Sequence, residues 1–315
     1  MIIINLILSL VFLVILIKCA DYSMLYSSRL AKNLHLSEFV VSFFIIAIIS
    51  TLPEATISII SAFNGEPQLG LGTLLGAKIA DLTLVLGIAV LFSSGGIKVK
   101  SKILQNNFLY LFLLLFPLIL GFDGEFSRID GIILVLVGIS FFIKIIIDRK
   151  KFRKKFNNIK RGSFLKNSVL LTLSLAALLI GAFFAVKFAT NFAYEAKVPE
   201  ILIGITILAL GTCLPELFFS IKAARSNRDE LVLGDLLGTV ITDATIILGI
   251  VALICPFTYN PINIYVLGGG IFLAGIFTIW FMKTNRSINK FEGLFLILLY
   301  ILFIFISFFI NNVIV

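Results

Sequence analysis

The chain has 315 residues and a formal net charge of +9; 60% of its residues are hydrophobic and only 14% are charged, with a mean hydropathy of +1.12. A soluble domain of this length needs far more polar surface, so the composition excludes an ordinary soluble globular protein. Three cysteines, Cys19, Cys213 and Cys255, lie in apolar segments without CxxC spacing, which argues against a disulfide framework or a zinc site.

Apolar segments long enough to cross a bilayer, about 20 residues each, recur along the whole chain. They are predicted as membrane-spanning helices at approximately 2–24, 36–60, 69–94, 103–121, 129–147, 167–189, 199–223, 231–255, 261–283 and 290–312. The first segment has no cleavage-site pattern, so we do not expect it to be a removed signal peptide. The sequence therefore predicts an all-α integral membrane protein with ten transmembrane helices.

An internal repeat divides the ten segments into two halves. The stretch S-T-L-P-E at 50–54 recurs as T-C-L-P-E at 212–216, and G-A-K-I-A-D at 76–81 recurs as G-T-V-I-T-D at 238–243. At a constant offset of 162 residues, 18 of the 41 positions from 47 to 87 are identical in the copy. We assign a first five-helix repeat to 1–147, a basic cytoplasmic linker to 148–166 and a second five-helix repeat to 167–315.

The basic residues predict how the chain lies in the membrane. Twenty Lys and Arg residues fall in connections on one side and only two, Arg128 and Lys197, on the other. The positive-inside rule places the basic side in the cytoplasm and both termini outside it. This distribution also accounts for the net charge without a nucleic-acid partner. Five helices is an odd number, so the halves insert with opposite orientation as inverted repeats. We expect a multi-pass plasma-membrane protein surrounded by lipid.

The repeated residues supply the chemistry. A proline inside a membrane helix removes a backbone donor, so Pro53 and Pro215 are expected to break their helices and free nearby carbonyls. Carbonyls, hydroxyls and carboxylates together form a hard-oxygen site that suits Ca²⁺ or Na⁺. The candidate ligands are Glu54, Glu216, Asp81, Asp243, Ser50, Thr51, Thr212, Thr239 and the carbonyls of Ala47 and Ala209. The small residues of 72–76 and 234–238, spaced as GxxxG, are expected to allow close helix approach.

At these residues the chain resembles the calcium/cation antiporter superfamily and is most similar to its prokaryotic Na⁺/Ca²⁺ exchanger branch. The paired motifs of that family read approximately G-T-S-L-P-E and G-S-N-I-x-N/D. L-P-E at 52–54 and G-T-C-L-P-E at 211–216 match the first motif, while 76–81 and 238–243 match the second less completely. The resemblance implies that ions bind among the second, third, seventh and eighth helices. It also implies that the first and sixth helices slide past that core to alternate access.

The chain departs from the family pattern at several site positions. Ile49 replaces the first motif's glycine, and Cys213 replaces its serine in the second copy. Ala77 lacks a hydroxyl that the resemblance implies as a sodium ligand. Asp81 stands where sodium exchangers of this branch commonly carry an amide.

Lys78 is the most unusual departure, because it places a cation three residues before Asp81 on nearly the same helix face. Lys78 and the four repeated acids (54, 81, 216 and 243) together carry a formal charge of −3. In one interpretation its ammonium pairs with Asp81 or Glu54 and takes the place of a transported Na⁺. The stoichiometry would then fall, or coupling would switch to protons. In the other, Lys78 turns away and snorkels, leaving sodium coupling intact. We favour the first, and we assign coupling or modulating roles to Lys78 and Cys213.

From these observations we expect a secondary active antiporter that exports Ca²⁺ in exchange for Na⁺ by alternating access, functioning as a monomer. It is not expected to be an enzyme or to hold a cofactor; Ca²⁺ and Na⁺ or H⁺ are its transported ions. One alternative is a proton-coupled exchanger of Ca²⁺ or another divalent cation such as Mn²⁺. Another is a cation channel, which would also use acidic residues but would conduct without a counter-ion.

Overall fold

The computed structural model describes residues 2–65, 67–99, 107–147, 164–195, 209–259, 261–283 and 286–314. Ten helical segments make up most of these residues. They are α1 (Ile2–Leu34), α2 (38–63), α3 (67–92), α4 (Asn107–Leu120), α5 (Arg128–Ile147), α6 (Phe164–Glu195), α7 (209–225), α8 (229–254), α9 (Pro261–Lys283) and α10 (Lys290–Ile314). Helix α6 begins inside the segment predicted as a linker, and the rest of that linker, 148–163, lies outside the described residues.

Four of the described helices are long and apolar enough by themselves to cross a membrane: Gly70–Phe92, Phe164–Phe188, Asp229–Ile254 and Lys290–Ser307. A fifth span is formed if the bent pair Glu38–Ser50 and Leu52–Phe63 counts as one. Shorter apolar helices occur at Ile3–Phe12, Leu109–Asp123 and Leu267–Lys283.

Helices α2 and α7 are both broken at equivalent positions. In α2 the break is at Thr51, between Ala47–Ser50 and Leu52–Phe63, and the two parts are bent by 44°. In α7 the break is at Cys213, between Ala209–Thr212 and Leu214–Arg225. Each second part has its proline in the first turn, where the missing N–H is tolerated. The predicted break in each repeat is confirmed.

Helices α3 and α8 each contain one wide, π-helical turn that the sequence did not predict. The turn is Asp81–Val85 in α3 and Asp243–Ile247 in α8, again 162 residues apart. A further π-helical turn occupies Ser42–Ile46 in α2. Such turns are rare, and they are frequent at functional sites. In α3 and α8 the turn begins at the repeated aspartate.

Four two-residue strands connect the repeats. They are β1 (Ile97–Lys98), β2 (Glu125–Phe126), β3 (Phe257–Thr258) and β4 (Ser287–Ile288). β1 pairs antiparallel with β4, with Ile97 opposite Ile288, and β2 pairs antiparallel with β3, with Glu125 opposite Thr258. The α3–α4 connection therefore lies beside the α9–α10 connection. Repeats of equal orientation would place these two connections on opposite sides, so the pairing supports inverted repeats.

Helix α8 lies at the centre of the molecule, and every residue of Asp229–Thr242 is buried. Its Gly234 and Gly238 face α2 so closely that an added Cβ would lie 2.5 Å from the Phe39 oxygen and 2.5 Å from the Ala47 Cβ, respectively. Close helix approach at 234–238 is thus confirmed. At the copy, 72–76, a Cβ added to either glycine would meet no described atom within 4 Å, so close helix approach is not shown there.

The long helices α1 and α6 occupy equivalent positions in the two repeats and pack along each other. Phe12 of α1 stacks on Phe184 of α6, with ring centroids 5.0 Å apart. Many side chains along both helices are exposed and apolar, as expected where lipid surrounds a helix. The core formed by α2, α3, α7 and α8 is therefore covered on one side by this pair.

Candidate ion-binding site

Two carboxylates begin the second parts of the broken helices. Glu54 is the third residue of Leu52–Phe63, and Glu216 is the third residue of Leu214–Arg225. Only 3% of Glu54 and 2% of Glu216 is exposed. Both lie in a first helical turn, where unpaired N–H groups and the helix dipole favour negative charge. Each break thereby places one carboxylate inside the protein.

Two further carboxylates, Asp81 and Asp243, begin the π-helical turns of α3 and α8, and both are buried. Two residues later, the buried hydroxyls of Thr83 and Thr245 each donate to a carbonyl four residues before them. A π-helical turn interrupts the regular α-helical hydrogen bonds of the backbone. The threonine hydroxyls donate hydrogen bonds to carbonyls where this interruption occurs. The two repeats thus build the same local structure around each aspartate.

The four carboxylates form one electrostatic group that includes both repeats. Glu54 interacts with Asp243 and Asp81, and Glu216 interacts with Glu54 and Asp81. The hydroxyl of Thr212 hydrogen-bonds Glu54 across the repeat interface. One oxygen of each of the four acids is buried without a hydrogen-bond partner among the described residues. Unsatisfied carboxylate oxygens are costly in a membrane interior, and a bound cation would satisfy them.

The candidate hydroxyl ligands already donate to backbone carbonyls. Thr51 donates to the Ile48 carbonyl at 3.0 Å, and Thr239 donates to the Leu236 carbonyl at 2.9 Å while lying within hydrogen-bonding reach of Asp81. A hydroxyl that donates its proton keeps two lone pairs for accepting. These oxygens therefore remain suitable cation ligands.

The carbonyl of Ala47 is not freed by the helix break, contrary to the sequence prediction. It accepts the N–H of Thr51 at 3.0 Å and the hydroxyl of Ser50 at 3.3 Å. The physical reason is spacing: Pro53 removes the donor that would reach Ile49, four residues earlier, and leaves the bond to Ala47 in place. Ala209 begins the described part of α7, and its side chain is not described.

A closed metal site is absent from the described part of the chain: no three Asp, Glu, His or Cys side chains there lie close enough to hold a metal ion. Hydroxyl and carbonyl oxygens must therefore complete any coordination sphere.

Lys78 is completely buried, which excludes the snorkelling interpretation. Its Nζ has no hydrogen-bond partner in the described residues, so the predicted pairing with Asp81 or Glu54 is also absent. The carboxylate with which it interacts electrostatically is that of Asp243 in the other repeat. Lys78 thus places a basic group within the acidic group, and the acid with which it interacts is different from the two predicted.

Asp235 is a fifth buried carboxylate that the sequence analysis missed. It is 0% exposed, and it interacts with Asp81 and Glu216. Its position in the first repeat is occupied by Thr73, so a search for repeated acids passes over it. A search for any charged residue inside the predicted span 231–255 would have found it. With Asp235 the five acids and Lys78 carry a formal charge of −4 instead of −3.

Cys213 occupies the break in α7 and is buried. Its thiol interacts electrostatically with Asp81, Glu54 and Glu216. The sulfur thus lies beside the acidic group, where the first repeat carries the hydroxyl of Thr51.

Comparison with known proteins identifies the family. The sequence profile described as "Sodium/calcium exchanger protein" matches residues 4–146 and 166–309. The chain belongs to the sodium/calcium exchanger family. It is 27% identical over 355 residues to the sodium/calcium exchanger MaX1 of Methanosarcina acetivorans, with 98% of this chain and 100% of MaX1 covered. It is also 29% identical over 290 residues to the membrane protein MJ0091 of Methanocaldococcus jannaschii, covering 92% and 93% of the two chains.

The fold of this family member agrees with a solved exchanger. A structure of the sodium-calcium exchanger NCX_Mj soaked with Na⁺ and Sr²⁺ matches with a TM-score of 0.83 at 28% identity, covering 96% of this chain and 98% of that one. The predicted fold class, a helical membrane protein of two repeats, and the predicted family are both confirmed. The family is one of exchangers, so the chain is a multi-pass membrane transporter in the antiporter class.

Proposed function

We propose that this exchanger exports Ca²⁺ and is driven by inward movement of Na⁺. One observation carries the proposal: Glu54 and Glu216 lie at equivalent helix breaks, both buried, each with an oxygen that has no hydrogen-bond partner among the described residues. Oxygen ligands of this kind suit Ca²⁺, which takes about 6–8 of them. The likeness to MaX1 and NCX_Mj, both named sodium/calcium exchangers, supports the same ions.

In the proposed site, Glu54 and Glu216 are the central Ca²⁺ ligands, and Asp81 and Asp243 complete it or carry exchanging protons. The secondary ligands are Ser50, Thr51, Thr212, Thr239 and the carbonyl of Ala209; the carbonyl of Ala47 is left out because it already accepts two hydrogen bonds. Because the chain belongs to a family of transporters, we propose that it holds no cofactor. The ions are its substrates. Function as a monomer in the plasma membrane, with both termini outside the cytoplasm, is part of the same proposal.

Electrostatics explain why such a site would exchange ions instead of carrying one ion alone. A charged side chain in the membrane interior costs about 3 kcal/mol if uncompensated. The acidic group is therefore too unfavourable to change access with no cation bound. Ca²⁺ and Na⁺ compete for the same carboxylates, so release of one is linked to binding of the other. A transporter that changes access only while a cation is bound exchanges one ion for another, which is the property of an antiporter.

A proton-coupled exchanger is the second candidate, and the state of Lys78 favours it. A buried ammonium with no hydrogen-bond partner in the described residues already supplies one positive charge beside Asp243. That charge reduces the number of Na⁺ ions needed for neutrality and leaves proton exchange as the alternative. Mn²⁺ joins Ca²⁺ as a possible cargo because oxygen ligands suit both ions, and Cys213 adds one softer group.

Transport in proteoliposomes separates the two candidates. Vesicles loaded with Na⁺ at equal pH are diluted into Na⁺-free buffer containing radioactive Ca²⁺ and a protonophore. The proposal predicts Ca²⁺ uptake that requires the outward Na⁺ gradient. Uptake that needs instead an imposed pH gradient, without protonophore, would identify the proton-coupled exchanger.

A further inference from the structure

Asp235 is a fully buried carboxylate within α8 that the proposed site does not use. Its Oδ1 lies 3.1 Å from the Ser50 hydroxyl, which shares its single proton between this oxygen and the Ala47 carbonyl at 3.3 Å. Its Oδ2 is buried without a hydrogen-bond partner in the described residues. The first repeat has Thr73 at this position, so the carboxylate belongs to the second repeat alone. An unsatisfied, fully buried oxygen of this kind requires a partner that the described residues do not supply.

A small cavity lies beside this carboxylate. Asp235 and Ser50 are its polar lining residues, and Leu175, Leu178 and Leu179 of α6 close one side. Its volume is about 10 Å³, enough for a single water-sized particle. Since α6 is one of the two outer helices, the cavity lies between the core and a helix that covers it.

Asp235 is too far along α8 to share an ion with Asp243. Eight residues separate them, which at about 1.5 Å per residue is about 12 Å along the helix axis. The hydroxyl of Ser50 nevertheless connects the cavity to the main site, because it lies one helical turn before Glu54. Asp235 also interacts electrostatically with Asp81 and Glu216, so a charge bound beside it affects the main site.

We propose that Asp235 and Ser50 form an additional subsite for one monovalent cation, Na⁺, in the cavity against α6. A single carboxylate and a cavity for one small particle suit a singly charged ion, whereas Ca²⁺ takes about 6–8 oxygens and more negative charge. The ammonium of Lys78 interacts with Asp243 and does not replace this ion. The choice of Na⁺ rests on the proposed function; the subsite itself rests on the cavity and the unsatisfied oxygen.

Equilibrium binding of ²²Na⁺ to the purified full-length protein tests the subsite. Asp235→Asn keeps the shape and the contact with Ser50 but removes the charge. We expect one bound Na⁺ fewer per protein or, if the ion is retained, affinity reduced about tenfold. Binding of radioactive Ca²⁺ in Na⁺-free buffer should fall less than Na⁺ binding does, because Asp235 is not a proposed Ca²⁺ ligand although it interacts electrostatically with Asp81 and Glu216. Asp229→Asn, the same substitution in the first turn of the same helix, is the matched control and should leave Na⁺ binding unchanged.

Three results would overturn the subsite: unchanged Na⁺ number and affinity in Asp235→Asn, an equal loss of Na⁺ and Ca²⁺ binding, or no ²²Na⁺ binding to the unsubstituted protein. If Asp235→Asn does not fold, Asp235→Thr, which introduces the residue of the first repeat, takes its place. Because the assay measures binding, it remains informative if transport is not driven by Na⁺. Loss of one Na⁺ in the variant, together with no Na⁺-driven Ca²⁺ uptake by the parent, would support the subsite and reject the proposed coupling.

Discussion

At the scale of single residues, the equivalence of Glu54 and Glu216 is the feature on which the site depends. Both are buried in a first helical turn, and they interact with each other. In the proposed site, a cation between them would contact both repeats at once. Loss of either charge would then remove a central ligand.

Glu54→Gln should abolish Ca²⁺ uptake without unfolding the protein. Removing one member of a buried charge arrangement costs about 3 kcal/mol or more, which is about a hundredfold in binding. Uptake of radioactive Ca²⁺ into proteoliposomes measures the loss, and the thermal midpoint in detergent reports folding. Glu125→Gln, at an exposed acid in β2, is the control and should transport normally. Near-normal flux through Glu54→Gln would refute its role as a central ligand.

Lys78 is the residue whose proposed effect on coupling is most specific to this chain. Lys78→Ser removes a buried cation beside Asp243 and leaves a small hydroxyl in its place. We expect Ca²⁺ uptake to depend more steeply on Na⁺, or to change its coupling ion, because another positive charge must neutralise the acids. The Na⁺ and pH dependence of uptake measure this. Lys187→Ser, at an exposed lysine of α6, is the matched control. Identical ion dependence in Lys78→Ser and the parent would remove Lys78 from the mechanism.

At the scale of helices, the close contact between α8 and α2 holds the two repeats together. Gly238 has space for no side chain, since an added Cβ would lie 2.5 Å from the Ala47 Cβ and 2.7 Å from the Phe43 oxygen. Both neighbours belong to the stretch of α2 that precedes the break. The position of Glu54 therefore depends on this contact.

Gly238→Ala should destabilise the protein by about 1–3 kcal/mol because the two helices must separate. The measurement is the thermal midpoint of the purified protein in detergent. Gly269→Ala on α9 is the control: an added Cβ there meets nothing within 4 Å, and alanine favours a helix by about 1 kcal/mol over glycine. Equal stability of Gly238→Ala and Gly269→Ala would contradict the packing account.

Local sequence patterns predicted some of these elements and not others. Pro53 and Pro215 have a local steric effect, so the breaks were predictable from residue type. The π-helical turns at Asp81 and Asp243 were not, because a wide turn depends on packing around the helix and has no local signature here. The partner of Lys78 was also wrong, since sequence spacing relates residues of one helix, whereas Asp243 reaches Lys78 from another. Asp235 was missed because the search followed the repeat, and its repeat partner is a threonine.

At the scale of the whole molecule, four connections between helices lie at one end. The pairing of β1 with β4 joins two of them, α3–α4 and α9–α10. Ser94, in the α3–α4 connection, donates a hydrogen bond to Asn227 at 2.7 Å and so joins the α7–α8 connection to this end. The ion pair of Arg228 with Glu38, at 2.6 Å, joins the start of α2 to the same end. These four connections carry many of the basic residues, so the charge asymmetry is a property of one end of the protein.

That end should face the cytoplasm, as the positive-inside rule predicts. Cysteines introduced at two exposed positions, Glu125→Cys in β2 and Ser94→Cys at the basic end, report the orientation. A membrane-impermeant maleimide added to intact cells should label Glu125→Cys, above the background of the parent chain, and should label Ser94→Cys only after permeabilisation. The opposite labelling pattern would place the termini inside.

The central claim is that a divalent cation binds at the repeat interface between Glu54 and Glu216. Anomalous diffraction from crystals of the protein soaked with Sr²⁺, a heavier analogue of Ca²⁺, tests it most directly. The account predicts an anomalous peak between these two carboxylates, and its loss in crystals of Glu54→Gln. A peak at another place in the protein, or none in crystals of a preparation that transports Sr²⁺, would contradict the account.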